Sequence, residues 1–221
     1  MRRRVVETNE GIQDTLTVEV FDAFAKGMRD KHWNNVDTFI KTGITSGTVL
    51  EIGPGPGYVG LEWLLQTKGT TLTGCEISKA MIAVAQKNAA QYQLSDRVQY
   101  VEGTGLHMPF EDSSFDAVFS NGSLHEWEDP ALVLNEIFRV LKPGGRMCIT
   151  DMRRDVSFLK TYLIYASTKP KAIRPGFLSS LRASYLTKEL DEIFLQSVWK
   201  DNHAIQKEFF GLCATARKPA Y

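Results

Sequence analysis

A chain of 221 residues holds one enlarged domain rather than two complete ones, at about 150 residues per domain. Hydrophobic residues make up 43% and charged residues 24%, which excludes a disordered, collagen-like or coiled-coil chain. Lys+Arg (26) and Asp+Glu (26) cancel, so overall charge argues against general nucleic-acid binding. Cys75, Cys148 and Cys213 are odd in number and far apart in sequence, and none stands near a histidine. That excludes a disulfide framework and the common zinc spacings, and each thiol reads as buried and inert in a reducing setting. No apolar run is long enough to span a membrane. The basic start Arg2-Arg3-Arg4 lacks an apolar segment behind it, and Glu7, Glu10 and Asp14 argue against a transit peptide. The expectation is a soluble, cytoplasmic protein.

Thr17 to Thr42 carries apolar residues at helical spacing (Val20, Phe21, Phe24, Met28, then Val36, Phe39, Ile40), with Gly27 and Asn34-Asn35 predicting two short helices. Thr48 to Ile52 is a strand ending in Gly53-Pro54-Gly55-Pro56-Gly57, and a helix follows with Leu61, Leu64 and Leu65 on its apolar face. Thr71 to Cys75 is a second strand followed by Glu76; Ser78 caps a helix striped by Met81, Ile82, Ala85 and Ala89. Val98 to Val101 and Phe115 to Ser120 are the next strands. Asp129-Pro130 starts a helix striped by Val133, Leu134, Ile137, Phe138 and Leu141, which Lys142-Pro143-Gly144-Gly145 stops. Arg146 to Asp151 is a fifth strand. Strands alternating with helices predict an α/β fold with a doubly wound parallel sheet. Beyond it come helical pieces broken at Pro170 and Pro175-Gly176, a helix over 187–196, and two strands, 198–208 and 209–217, paired antiparallel at the sheet edge.

The glycine loop lies between a strand and a helix, where glycines allow a sharp turn and close backbone approach to a ligand. Glu76, ending the next strand, can accept both hydroxyls of a ribose. The dinucleotide pattern G-x-G-x-x-G is not met: the third glycine is Gly57, one residue early, and position 58 is Tyr58. Glu51 at the strand end suits a cationic amino group better than a pyrophosphate.

The ordered series Val49 to Gly57, Gly74 to Ser78 with Met81, Met108-Pro109-Phe110 leading to Ser114 to Val118, and Arg139 to Gly145 resembles the class I S-adenosylmethionine-dependent methyltransferases. It is close to the group that includes the ubiquinone and menaquinone methyltransferases. The resemblance implies a Rossmann-like seven-stranded sheet with an antiparallel last strand. It implies that Glu51, Gly53, Pro54, Gly55 and Gly57 hold the methionine part of S-adenosylmethionine and Glu76 the ribose. Ile77, Met81, Thr104, Gly105, Asn121, Gly122 and His125 complete the cofactor set, with S-adenosylhomocysteine as product. Where the family usually places an acid beside the adenine, this chain reads Gly103-Thr104-Gly105.

On the acceptor side, the fourth strand leads into His125 and Glu126, the candidate catalytic residues; His125 is a general base or a residue packed on the cofactor. Residues 153 to 182 carry seven basic residues against one acid, Asp155, with Phe158, Tyr162, Tyr165 and Phe177 interleaved. A basic, aromatic lid predicts a small or medium acceptor, anionic with an apolar or planar body, met by Arg153, Arg154, Tyr162 and Tyr165; a solvated basic face is the alternative. No metal ligand set is evident. The expected organisation is a helical cap (1–46), a cofactor-binding core (47–152), a helical lid (153–196) and a C-terminal hairpin completing the sheet (197–221). The rival functions are a non-catalytic nucleoside-binding scaffold and a nicotinamide-dependent oxidoreductase.

Overall fold

The computed structural model describes residues 3–7 and 11–220; Arg2, Glu10 and the other outlying positions of the expected cap and hairpin lie outside them. In chain order the elements are α1 (Thr15–Asp30), α2 (Val36–Lys41), β1 (Gly47–Ile52), α3 (Tyr58–Gln66), β2 (Thr70–Glu76), α4 (Lys79–Gln91), β3 (Val98–Glu102), β4 (Phe115–Asn121), α5 (Pro130–Val140), β5 (Leu141–Met152), α6 (Phe158–Ser167), α7 (Arg174–Ala183), α8 (Thr187–Leu195), β6 (His203–Lys207) and β7 (Gly211–Arg217). The strands form one seven-stranded sheet in the order β3-β2-β1-β4-β5-β7-β6. The first five are parallel, β7 runs antiparallel between β5 and β6, and the expected sheet with its antiparallel last strand is the one observed.

The sheet is covered on both faces because its central strands alternate between two apolar layers. Leu50, Val118, Met147, Ile149 and Leu212 point to one side, against Val133, Leu134 and Ile137 of α5 and Leu190 and Phe194 of α8. Val49, Leu72, Phe119, Cys148 and Cys213 point to the other, against Phe39 of α2 and Leu61, Trp63 and Leu64 of α3. The period of two in a strand forces this division. Helix starts follow the capping chemistry: Asp14, Ser78 and Asp129 accept from the amides of Thr17, Met81 and Leu132. All three cysteines are buried and free, and the fold brings the Sγ atoms of Cys148 and Cys213 to 3.6 Å across β5 and β7.

Several expectations are corrected. The two expected N-terminal helices are present, but they part at the Asn34-Asn35 region and not at Gly27, which α1 carries through to Asp30, since one glycine inside a helix costs only about 1 kcal/mol. Leu65 is 56% exposed, on the outer side of α3. Leu141 belongs to β5, pairing with Phe115. Lys142 to Gly145 bulge out of the strand before Arg146 re-pairs with Ala117, so the Pro-Gly-Gly run bends a strand as well as stopping a helix. The sixth strand begins only at His203. Trp199 is buried, donating through Nε1 to the Leu134 carbonyl, and the chain turns there.

Candidate active site

The carboxyl ends of β1, β2, β4 and β5 open into a cavity of about 1930 Å³. Crevices of this kind form where the strand order reverses, here between β1 and β4. One wall comes from the β1–α3 and β2–α4 turns. Gly53, Gly55 and Gly57 have φ of 66°, 53° and 84°, backbone that L side chains rarely adopt. A Cβ on Gly53 would lie 2.7 Å from Ser123 Cβ, and one on Gly57 2.5 Å from the Tyr100 hydroxyl. A Cβ on Gly55 would only touch Phe21 at 3.4 Å, so the demand there is conformational, not spatial. Gly57 stands behind the cavity wall as the left-handed start of α3, whereas Gly53, Pro54 and Gly55 line it.

Glu76 is buried at the end of β2, its Oε2 accepting from the Gly55 amide at 3.0 Å and Oε1 from Ser78 at 2.9 Å. Each oxygen keeps a further lone pair for a ligand hydroxyl. Burial raises its pKa against these amide bonds. Glu51 is 1% exposed and its Oε2 has no hydrogen-bond partner among the described residues. Burial, and then the charge of Glu76, push it up to about 8. A buried carboxylate without a partner is what an arriving cation would relieve. Ile77, Met81, Thr104, Gly105, Asn121 and Gly122 also line the cavity. Asn121 Oδ1 accepts from Asn35 Nδ2 at 2.8 Å and from Thr150 Oγ1 at 2.9 Å. Thr104 Oγ1 accepts from the His107 amide. These groups fit a nucleoside bearing a cationic amino acid tail: hydroxyl acceptors at Glu76, a buried carboxyl at Glu51 that an arriving cation would draw into its charged form, and close backbone between them.

The facing wall gathers residues from across the chain. His125 lies in a 3-10 turn after β4 and is 3% exposed. Its Nδ1 lies 2.9 Å from both oxygens of Asp151, at the end of β5, and its backbone N–H donates to Asp151 Oδ2 at 2.8 Å. The opposite nitrogen, Nε2, lies 3.6 Å from Glu7 Oε2 and 3.9 Å from Glu126 Oε1. Burial alone would lower the imidazole pKa; Asp151 first, then Glu126 and Glu7, more than reverse this and raise it to about 9. A raised imidazole favours the protonated ring, which donates from Nε2 more readily than it takes up a proton there, and this weighs against the reading of His125 as a general base. Glu126 is 46% exposed, but to the cavity interior rather than the outer surface, and burial there raises it to about 7.

Arg153, Arg154, Tyr162 and Tyr165 do not line the cavity. Arg153 pairs with Asp155, and Arg154 with both oxygens of Glu189 and the Ser184 carbonyl. Tyr162 is 57% exposed and Tyr165 stacks under Arg174. The lid segment reaches the cavity through Ile164, Lys169, Ile173 and Phe177 instead. Sequence reasoning missed the N-terminal arm. Arg4 stacks on Tyr185 and donates to the carbonyls of Ala183 and His125; Val5 N–H donates to Arg182. These bonds bring Glu7 over His125, a placement with no local signal.

A methyltransferase-domain family model matches residues 50–149. The chain is 34% identical over 143 residues to the demethylmenaquinone methyltransferase of Lactiplantibacillus plantarum, covering 63% of this chain and 60% of that one. It is 31% identical over 184 residues to the uncharacterized methyltransferase YdaC of Bacillus subtilis, covering 83% and 90%. Thus it spans nearly all of the second relative but only about three fifths of the first. A crystal structure from Methanococcus maripaludis assigned to the S-adenosyl-L-methionine-dependent methyltransferases superposes with a TM-score of 0.75 at 24% identity, covering 97% of this chain and 98% of that one; this likeness bears on fold alone.

Proposed function

The chain belongs to the class I S-adenosylmethionine-dependent methyltransferases, and from that premise we propose that it transfers a methyl group to a small-molecule acceptor bound against the His125 wall. The observation that carries this reading is the buried pair Glu51 and Glu76 beside the glycine loop, opening into a cavity of about 1930 Å³. That is larger than the roughly 300–1,000 Å³ of an ordinary ligand pocket, so cofactor and acceptor have room together. Membership in this family removes the nicotinamide oxidoreductase from consideration.

When bound, S-adenosylmethionine supplies an activated methyl on a sulfonium. The chain's own part is to hold and orient. In this reading Glu76 takes the ribose hydroxyls, Glu51 faces the methionine amino group, and Gly53 to Gly55 let the backbone come close. Thr104 and Gly105 flank the base, and Asn121 and Gly122 border the methionine end. Orientation of this kind is worth up to about 7–11 kcal/mol, so transfer needs no elaborate catalytic set. His125 and Glu126 face the acceptor and orient its polar group.

The acceptor reads as an apolar or planar body with a neutral polar group rather than an anion. Lys169 is the lid cation on the cavity wall, whereas Glu7, Glu126, Glu128, Asp151 and Glu208 line it too. The relative named for demethylmenaquinone supports a small, apolar acceptor. The test is S-adenosylhomocysteine release on adding a metabolite extract, fractionated by charge. Release with neutral apolar fractions is expected. Tight S-adenosylhomocysteine binding without release from any fraction would favour the scaffold reading.

A further inference from the structure

The Glu7–His125–Glu126 cluster combines features that methyl transfer alone does not require. Two carboxylate oxygens stand 3.6 and 3.9 Å from one imidazole nitrogen, and the three atoms lie within 4.8 Å of one another. Ligands held at about 2.0–2.2 Å from one cation lie roughly 3–3.5 Å apart, so the two nitrogen–oxygen separations are a few tenths of an ångström too long for coordination and the oxygen–oxygen separation, at most 4.8 Å, closes by rotation of the two glutamate side chains. The imidazole is oriented for it. Both Asp151 oxygens engage Nδ1, and Asp151 is fixed in turn by the amides of His125 and Met152. A carboxylate on the far nitrogen of a histidine is the usual outer support of a ligating imidazole, since it sets the tautomer and turns the other nitrogen towards the ion. A further observation concerns Glu7. Its Oε2 faces His125, is sealed from solvent, and has no hydrogen-bond partner among the described residues. The imidazole Nε2 at 3.6 Å stands beyond hydrogen-bond reach of it, and a cation held by both groups would satisfy it directly.

We propose that Glu7 Oε2, His125 Nε2 and Glu126 Oε1 form a binding site for a divalent first-row transition cation, with Asp151 as the outer support of the histidine. One nitrogen and two oxygens suit manganese, iron or zinc better than calcium, which takes oxygen alone. Binding displaces the Nε2 proton to solvent. Three protein ligands leave coordination positions open, and Glu126 borders the cavity, so those positions are available to an oxygen of the acceptor. The site also gives the N-terminal arm a purpose: it brings one ligand to the turn that bears His125, and Arg4 fastens it to the backbone of His125.

The experiment is titration of the apo protein with Mn²⁺, followed by electron paramagnetic resonance and calorimetry, with neither cofactor nor acceptor present. It therefore stands or fails apart from methyl transfer. One ion per chain is expected, displaced by Zn²⁺ as the Irving–Williams order requires. Glu7→Gln and Glu126→Gln should each weaken binding at least tenfold, and Asp151→Asn by about 10–100-fold. Circular dichroism and S-adenosylhomocysteine binding check that each variant is folded. Glu7→Gln, on the arm, is the decisive one if a core variant fails to fold. Mn²⁺ that stays free at millimolar concentration, or Glu7→Gln binding it as the wild type does, overturns the proposal.

Discussion

The two walls of the cavity are built on different plans. The glycine-loop wall is local: each turn joins a strand to the helix that follows it, and Glu76 reaches back only to Gly55 and on to Ser78. The facing wall is assembled across the chain, with Glu7 from the arm, His125 and Glu126 after β4, Asp151 from β5 and Lys169 from the lid. The first wall is rigid wherever its two strands form. The second exists only once the whole molecule has closed. A local wall suits the part of a ligand that never changes; a composite wall can be re-specified by altering one distant segment.

The sharpest way to probe the local wall is through Glu51. Its carboxyl titrates at 4.5 as a free group and at about 8 when buried in the folded chain. Between those values the unfolded chain gives up its proton first, so the folded state loses stability as pH rises, by roughly 1.4 kcal/mol per unit of displacement. Glu51→Gln escapes that loss. Its Tm relative to wild type, measured without cofactor, should climb from pH 4.5 to pH 8; parallel curves would show that burial does not hold the carboxyl protonated.

Next in size is Glu76→Ala. It removes the acceptor for two backbone amides and, in the proposed reading, for the ribose. A loss of about 1.5–3 kcal/mol is expected, or roughly 10–100-fold in S-adenosylhomocysteine affinity by calorimetry. A change under threefold would mean that the local wall does not hold the nucleoside.

The smallest effect belongs to Arg153→Ala and Arg154→Ala. Both side chains are held by ion pairs outside the cavity, so the acceptor KM should move by less than twofold. Stability should fall by up to about 1 kcal/mol for Arg154, whose fork grips Glu189. A large rise in KM would return these arginines to the acceptor and erase the contrast between the walls.

This contrast also sets how much could be read in advance. The sheet, the helix starts at Ser78 and Asp129 and the loop with Glu76 were legible, because each is announced by a short pattern within one strand, turn or helix start. His125 and Glu126 were placed beside the cofactor by topology alone. Their chemistry was not legible, because Asp151 and Glu7 decide it and neither is a sequence neighbour. Arg154 misled for the same reason: composition showed its charge, but not Glu189 waiting in the folded chain to neutralise it, whereas the partner of Arg153, Asp155, was in plain view two residues on, a pair that counting charge alone overlooks. Leu141 and Lys142 to Gly145 were misplaced because a strand with a bulge has no distinct pattern.

The position of β4 between β1 and β5 bears on how the chain is made. Synthesis delivers β1, β2 and β3 first, and they can pair among themselves. The other edge of β1 stays open until Phe115–Asn121 emerge, because Ile52 awaits Ser120. At roughly 5–20 residues per second, that apolar edge stands unpaired for several seconds. An open edge is a template for pairing with another chain. The same central seam that later shapes the crevice is thus, during birth of the protein, an open edge exposed to wrong pairing, and slow synthesis between β3 and β4 would lengthen the exposure.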